Sequence, residues 1–170
     1  ANTSDIVALM VMEHQIHMHN AFYAARFQYQ RAEFLRRAPH PESDAEQSAQ
    51  MQKLIKRRSD EILASLLFSG HAELPVDGVD GSADFHAAAR PSKEGWSLRD
   101  FRSQKRLFKY RCSYTIHSKA FAYLPAPIKQ RVLANLRQHI TGDSIAGMPV
   151  LSQRERTRIH AIITKTLKGY

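Results

Sequence analysis

The residues with the most chemical potential form one short segment near the start of the chain, Glu13-His-Gln-Ile-His-Met-His-Asn20. On a helix, Glu13 and His17 would share a face, and His14 and His17, three positions apart, could share a metal ion. Carboxylate and neutral imidazole together suit zinc or iron, and an imidazole or a Met thioether can be an axial haem ligand. The segment therefore predicts a metal site of Glu13, His14 and His17, or a haem contact.

A second interpretation of this segment needs no ligand. A helical Glu and His pair makes only half of a metal site, and the chain has neither an HExxH motif nor the repeated Glu-x-x-His of di-iron bundles. In that case His14 would lie in the core with a hydrogen bond, while His17 and His19 would be partly exposed. The residue types and their spacing leave both interpretations open.

Cys112, the only cysteine, lies five residues before His117. A thiolate near His and basic residues can be a nucleophile, but a helical spacing of five places the two side chains on different faces. We therefore expect a buried, structural Cys112. The sequence shows no GxSxG motif and no complete nucleophile–base set, so it does not decide whether the chain is an enzyme. A CxxCH haem-attachment motif is excluded within these residues.

Positive charge is concentrated in the second half of the chain. The formal net charge is +9, but residues 1–89 hold 8 Lys and Arg against 12 Asp and Glu, whereas residues 90–170 hold 17 against 4. Arg99, Arg102, Arg106 and Lys109 follow steps of three and four, which predicts one basic helix face. We expect an anionic partner, whether an acidic protein face, an anionic lipid or a nucleic acid. Nucleic acid is the less favoured of these, because no helix-turn-helix, RNP-like or zinc-finger pattern is present. A solvated surface that pairs with the acidic first half is the alternative.

The elements that must position these residues are helices. The apolar periodicity predicts an all-α, bundle-like domain of about six helices around a long N-terminal helix, which is apolar over much of its circumference. The second helix would form an antiparallel hairpin with the first. The predicted helices begin near Ser4, Ser43, Ser97, Cys112, Pro125 and Ser152.

Residues 71–96 read as a long loop that contains Pro75, Gly78, Gly81, Pro91 and Gly95, with a short helix at about 84–89. We expect residues 1–170 to form a single domain. No run of about 18 apolar residues occurs, so we expect no membrane-spanning segment.

Two stretches carry a family resemblance. The first is Asp5-Ile-Val-Ala-Leu-Met-Val-Met-Glu-His-Gln15 with His19-Asn20, and the second runs from Ser97-Leu-Arg-Asp100 through Arg106-Leu-Phe-Lys-Tyr-Arg-Cys-Ser-Tyr114 to Ala120-Phe-Ala-Tyr-Leu-Pro125. Together they resemble the C-terminal helical region of large exported bacterial proteins of uncharacterised function, whose N-terminal portions look like c-type cytochromes. Six residues agree with that pattern: Glu13, His14, His19, Asn20, Cys112 and Tyr114. His17 is peculiar to this chain, and Arg111 stands where the pattern leads us to expect Pro.

The resemblance implies a domain of a larger exported, periplasmic protein that lies close to haem and takes part in electron transfer. The partner would be a cytochrome c-like domain or subunit, and the haem-attachment motif would lie outside these residues. For an axial ligand or a wall of the haem pocket, the resemblance favours His14 or His19 over His17.

Overall fold

The computed structural model describes residues 4–38, 43–74 and 95–170. The first two helices are α1, Ser4–Arg36, and α2, Asp44–Leu66. Ser43 starts α2 with a capping box, because its side chain accepts from the Glu46 amide while the Glu46 carboxylate accepts from the Ser43 amide. Contacts of His17 with Ser65 and of Gln28 with Arg58 run in opposite directions along the two helices. The helices are therefore antiparallel.

The segment after Ser97 is a β-hairpin, and the prediction of a helix from Ser97 to about Lys109 is wrong. Strands β1, Phe101–Gln104, and β2, Arg106–Phe108, pair antiparallel, with Phe101 opposite Phe108. Ser97 and Asp100 do bond to nearby backbone amides, but they close a turn instead of starting a helix. Lys105, with φ 62°, reverses the chain between the strands.

The rest of the chain is helical again. A 3-10 helix, Tyr114–His117, leads into the short helix α3, Lys119–Ala122, followed by α4, Ala126–Thr141, and α5, Gln153–Thr166. Pro125 precedes α4, and the Ser152 side chain caps α5 by accepting from the Glu155 amide. The helices predicted from Pro125 and from Ser152 are confirmed.

The core lies between one face of each long helix. The buried residues that each helix contributes to the core are Val7, Val11, Met18 and Phe22 of α1, Ile62, Leu63 and Leu66 of α2, Ile128, Val132 and Leu136 of α4, and Ile159, Ile162 and Ile163 of α5. In α1 these buried residues occupy only one side, so within the described residues α1 is not surrounded by the other helices in the way that its wide apolar circumference had predicted.

The fold is mostly helical, as expected, with five α-helices and one 3-10 helix among the described residues. The predicted helix at 84–89 and most of the predicted loop at 71–96 lie outside those residues. Within the described ranges, none of the helices combines the length and apolar character needed to cross a membrane.

Candidate functional site

A cleft of about 800 Å³ opens between α1, the segment after α2 and the β-hairpin, and we call it the histidine cleft. Glu13, His14 and His17 line it from α1, and Phe68 and residues 70–74, which include His71, line it from the segment after α2. The hairpin closes another side, and Pro149 and Val150 form the edge before α5. Its volume is in the range that holds a small ligand or the side chains of a docked peptide.

His14 is the most deeply buried of the histidines that line the cleft, with 4% of its surface exposed. Its Nε2 is 2.7 Å from Ser113 Oγ, which in turn is 2.8 Å from Thr115 Oγ1. Its Nδ1 is buried and has no hydrogen-bond partner within the described part of the chain. Burial, and secondarily the neighbouring His71 and His17, lowers the pKa of His14 to about 4. His14 is therefore neutral at physiological pH.

The hydrogen bond between His14 and Ser113 joins the two stretches that carry the family resemblance, 99 residues apart in sequence. Ser113 is held in place because its backbone amide donates to the Leu66 carbonyl at the end of α2. A buried polar pair of this kind fixes the position of the 3-10 helix relative to α1.

Two further imidazoles accompany His14. The His71 ring centroid is 5.8 Å from that of His14 and 6.5 Å from that of His17. The pKa of His71 is lowered by burial and by His17, while the carboxylate of Glu13 opposes that shift. His17 donates to or accepts from Ser65 through Nε2 at 3.0 Å. The three rings thus meet from two different parts of the chain.

Four cationic side chains line the same cleft, Arg102, Lys105, Arg106 and Arg111, against the two carboxylates of Glu13 and Glu73. Arg102 and Lys105 are exposed, and the Lys105 carbonyl accepts from the Leu74 amide at 2.8 Å, which ties the hairpin turn to the wall of the cleft. With neutral histidines the cleft therefore carries a net positive charge.

Arg106 and Arg111 are held by contacts with α5 and the segment before it. Arg106 is 3.0 Å from the Glu155 carboxylate, and burial lowers the pKa of Arg106 while Glu155 opposes that shift. The Arg111 amide donates to Glu155 at 2.8 Å, and its guanidinium donates to the Val150 carbonyl. A proline at position 111 has no amide hydrogen and could not make the first of these bonds.

The floor of the cleft is aromatic. The Phe68 ring lies 4.7 Å from His14 and 5.5 Å from Phe108, and Phe108 stacks in turn on Phe101. Phe68 adopts φ 56°, a left-handed conformation that side chains rarely take, at the turn that ends α2. The cleft therefore combines an apolar floor with a basic rim.

The residues proposed for an anionic partner do not share one face, because the segment that carries them is a hairpin. Arg102 and Arg106 line the histidine cleft, whereas Arg99 lines a second cleft of about 270 Å³, with its guanidinium 5.0 Å from the Tyr114 ring. Lys109 lies 5.6 Å from the Tyr110 ring and 4.0 Å from Asp100.

His19 lines the second cleft, together with Gln15 and His117, so the two proposed haem ligands His14 and His19 point to different clefts. The volume of the second cleft is below the ~300 Å³ at which drug-sized ligands begin to fit. At His14 the sterically accessible nitrogen, Nε2, is already bonded to Ser113. The nitrogen without a hydrogen-bond partner within the described part of the chain is Nδ1. Because Nδ1 is next to the ring carbon that carries Cβ, a haem iron bound there would bring the flat porphyrin ring against Cβ. Neither His14 nor His19, the two proposed ligands, is therefore placed to hold a haem in this arrangement.

The residues proposed for a metal, Glu13, His14 and His17, all line the histidine cleft. Across residues 4–38, 43–74 and 95–170, however, no three His, Cys, Asp or Glu side chains are arranged to hold a metal ion. His14 is buried with a hydrogen bond, while His17 and His19 are exposed, as the interpretation without a ligand expects.

Cys112 is fully buried, and burial raises its pKa to about 12. A thiol in that state is not a nucleophile at neutral pH, and His117 bonds instead to Thr166 at 2.7 Å. The expectation of a structural Cys112 is confirmed.

Comparison with known proteins assigns no relationship, since no family model, curated protein or solved structure matches the chain. The resemblance to exported cytochrome-like proteins therefore stays a prediction.

Sequence reasoning missed His71, Lys105 and Ser113 as parts of the site. His71 is 54 residues from His17, and no periodicity links it to α1. The one available signal was the position of Ser113 in the second resembling stretch, between Cys112 and Tyr114.

Proposed function

We propose that this domain is a non-catalytic binding module and that the histidine cleft receives an anionic, partly apolar segment of an acidic protein partner. The observation that carries the proposal is the convergence of Arg102, Lys105 and Arg106 with three histidines in one cleft. Electrostatic attraction of this kind raises the rate of association and depends on salt.

The charge of the cleft favours a carboxylate-bearing ligand. Arg102 lies in β1, and Lys105 lies at the hairpin turn, where its carbonyl is tied to the Leu74 amide, so both side chains are presented from a defined position. Arg106 already has a carboxylate partner in Glu155. The exposed Arg102 and Lys105 are therefore the side chains that we expect to attract a carboxylate of the ligand, and they are the residues to test.

The floor of the cleft favours an apolar group beside the anionic one. The partly exposed Phe68 presents ring surface next to His14, with the buried Phe108 stacked against it, and burial of an aromatic or aliphatic side chain there would add hydrophobic stabilisation. A buried polar atom without a partner costs about 1–3 kcal/mol, so a ligand group that bonds His14 Nδ1 would recover part of that cost. An acidic peptide with an aromatic residue offers both.

The test is fluorescence anisotropy with a labelled peptide of alternating Glu and Phe, with the Gln and Phe peptide of equal length as its control. We expect the Glu peptide to bind and the Gln peptide to bind at least tenfold more weakly. Rising salt should weaken the first and leave the second almost unchanged.

Charge reversal locates the binding. Arg102→Glu and Lys105→Glu should each weaken the Glu peptide about tenfold, while Arg131→Glu, an equally exposed cation on α4, should not. Equal loss in all three variants would show attraction by overall charge and would contradict the assignment to the cleft. Binding that ignores salt would contradict the proposal itself.

A metal ion held through Glu13, His14 and His17 is the second candidate, favoured by the unpartnered Nδ1 of His14 and the position of all three residues on one cleft. Isothermal titration with Zn²⁺ tests it directly. His14→Gln should abolish binding if His14 is a ligand, and His160→Gln, a histidine outside the cleft, should not. The haem contact and electron transfer expected from the family resemblance are tested by adding haem to the purified chain and recording its absorption spectrum.

A further inference from the structure

The outward face of α1 carries a row of exposed apolar side chains. Their exposed fractions run from 49% for Met12 to 74% for Phe34. We call this row the outer stripe, and it comprises Leu9, Met12, Ile16, Tyr23, Phe27 and Phe34. The positions are separated by three, four or seven residues, or nearly two turns, so they lie above one another on the helix. The stripe is about 38 Å long at 1.5 Å per residue.

The outer stripe lies opposite the face that α1 buries in its own domain. Val7, Val11, Met18 and Phe22 face the core, about half a turn away from the stripe. A helix that is apolar on both faces normally has neighbours on both faces. Within the described part of the chain, only the inner face of α1 packs against other elements. The fold therefore accounts for the apolar residues of the inner face but not for those of the outer stripe.

The area of the outer stripe matches the requirement of a specific interface. With the flanking Ile6 and Leu35, the exposed apolar side chains offer on the order of 800 Å². That exceeds the ~300–600 Å² of the largest apolar patch on a typical monomer and is comparable to the ~800 Å² that each partner of a standard interface buries. Tyr23 and Phe27 already stack on each other, with ring centroids 6.2 Å apart and planes 8° apart.

The charges that flank the stripe favour a second copy in the opposite direction. Residues 6–21 contain one acidic residue, Glu13, and no Lys or Arg, whereas residues 22–38 contain four arginines and one Glu. Two parallel copies would bring the arginine-rich ends together. Two antiparallel copies would place each arginine-rich end beside the other copy's Glu13 and would also align the helix dipoles favourably.

The register supports the same orientation. Glu13 and Arg31 are 18 residues apart, which is five full turns, so they occupy the same flank of α1. Across a two-fold axis through the middle of the stripe, equal flanks meet, and Glu13 of each copy faces Arg31 of the other. With that axis, Leu9 and Phe34 lie within one residue of direct opposition, and so do Ile16 and Phe27.

We propose that the outer stripe is the interface of a homodimer in which the two α1 helices pack antiparallel. Size-exclusion chromatography with light scattering, over a hundredfold range of concentration, should give twice the chain mass at the upper end. Phe27→Glu should raise the dissociation constant of the dimer about 100-fold or more, because it places a charge in an apolar interface. Tyr123→Glu is the matched control, since Tyr123 is 68% exposed and lies outside α1.

Cysteine cross-linking determines the relative orientation of the two α1 helices. It also does not depend on Phe27→Glu, a variant that could lose the dimer simply by misfolding. Under oxidation, an equimolar mixture of Leu9→Cys and Phe34→Cys chains should form the mixed disulfide dimer, and neither chain alone should form one. The native Cys112 is fully buried and does not compete. Cross-linking of Leu9→Cys with itself would overturn the antiparallel arrangement. A wild-type chain that stays monomeric throughout the concentration range would overturn the dimer.

Discussion

Acidification should destabilise the protein through His14. Its pKa is about 4 in the folded chain, against 6.5 for an ordinary histidine, so the unfolded chain binds the proton more tightly than the folded one. The contribution of neutral His14 to stability is therefore fully present above pH 6.5 and is lost as the pH falls towards 4. A difference of that size corresponds to about 3 kcal/mol, and the 4% exposure of the side chain means that solvent screens it little.

The assay is urea unfolding at pH 7 and at several values down to 4.5, for the wild type, His14→Gln and His19→Gln. Wild type and His19→Gln should lose stability together as the pH falls, because His19 is exposed. His14→Gln should be less stable at pH 7 but should lose about 2–3 kcal/mol less on acidification. If its stability falls in parallel with that of the wild type, His14 is not the buried neutral group described here, and the reasoning fails.

Three further predictions concern the surroundings of the cleft. Ser113→Ala removes the partner of His14 Nε2 and should lower the free energy of unfolding by about 1–3 kcal/mol in urea, whereas an unchanged midpoint would contradict a structural role for that bond. Glu155→Gln should weaken the anchoring of Arg106 and cost about 1–3 kcal/mol at pH 7, measured by thermal melting, with the difference shrinking in high salt. Cys112 should not react with iodoacetamide at pH 8 in the folded chain and should react fully in urea; rapid labelling without denaturant would show that its burial is wrong.

Local signals in the sequence predicted most helices correctly. Ser43 with Glu46, Pro125 and Ser152 each start the helix that follows them, because capping depends on residues within one turn. Ser97 and Asp100 show the limit of such signals, since the same side-chain bonds can close a turn. What decides in favour of the hairpin is the pairing of Phe101 with Phe108, a tertiary packing effect that overrides local propensity.

The candidate site was predictable only where its residues lie on one element. The spacing of Glu13, His14 and His17 correctly indicated that they face the same place, because a helix repeats every 3.6 residues. The approach of His71 and of the basic hairpin depends on how three segments pack, and no local spacing encodes that. The charge of residues 90–170 predicted a basic surface, but not that Arg102 and Arg106 would line the same cleft as the histidines.

The central claim, that the histidine cleft binds an acidic and partly apolar segment, is tested most directly by NMR of the histidine rings and arginine side chains during titration with the Glu and Phe peptide. The signals of His14, His17, His71 and Arg102 should shift together and saturate at one concentration, while those of His160 and Arg131 stay in place. Shifts confined to residues outside the cleft, or no saturable shift in the cleft histidines, would contradict the account.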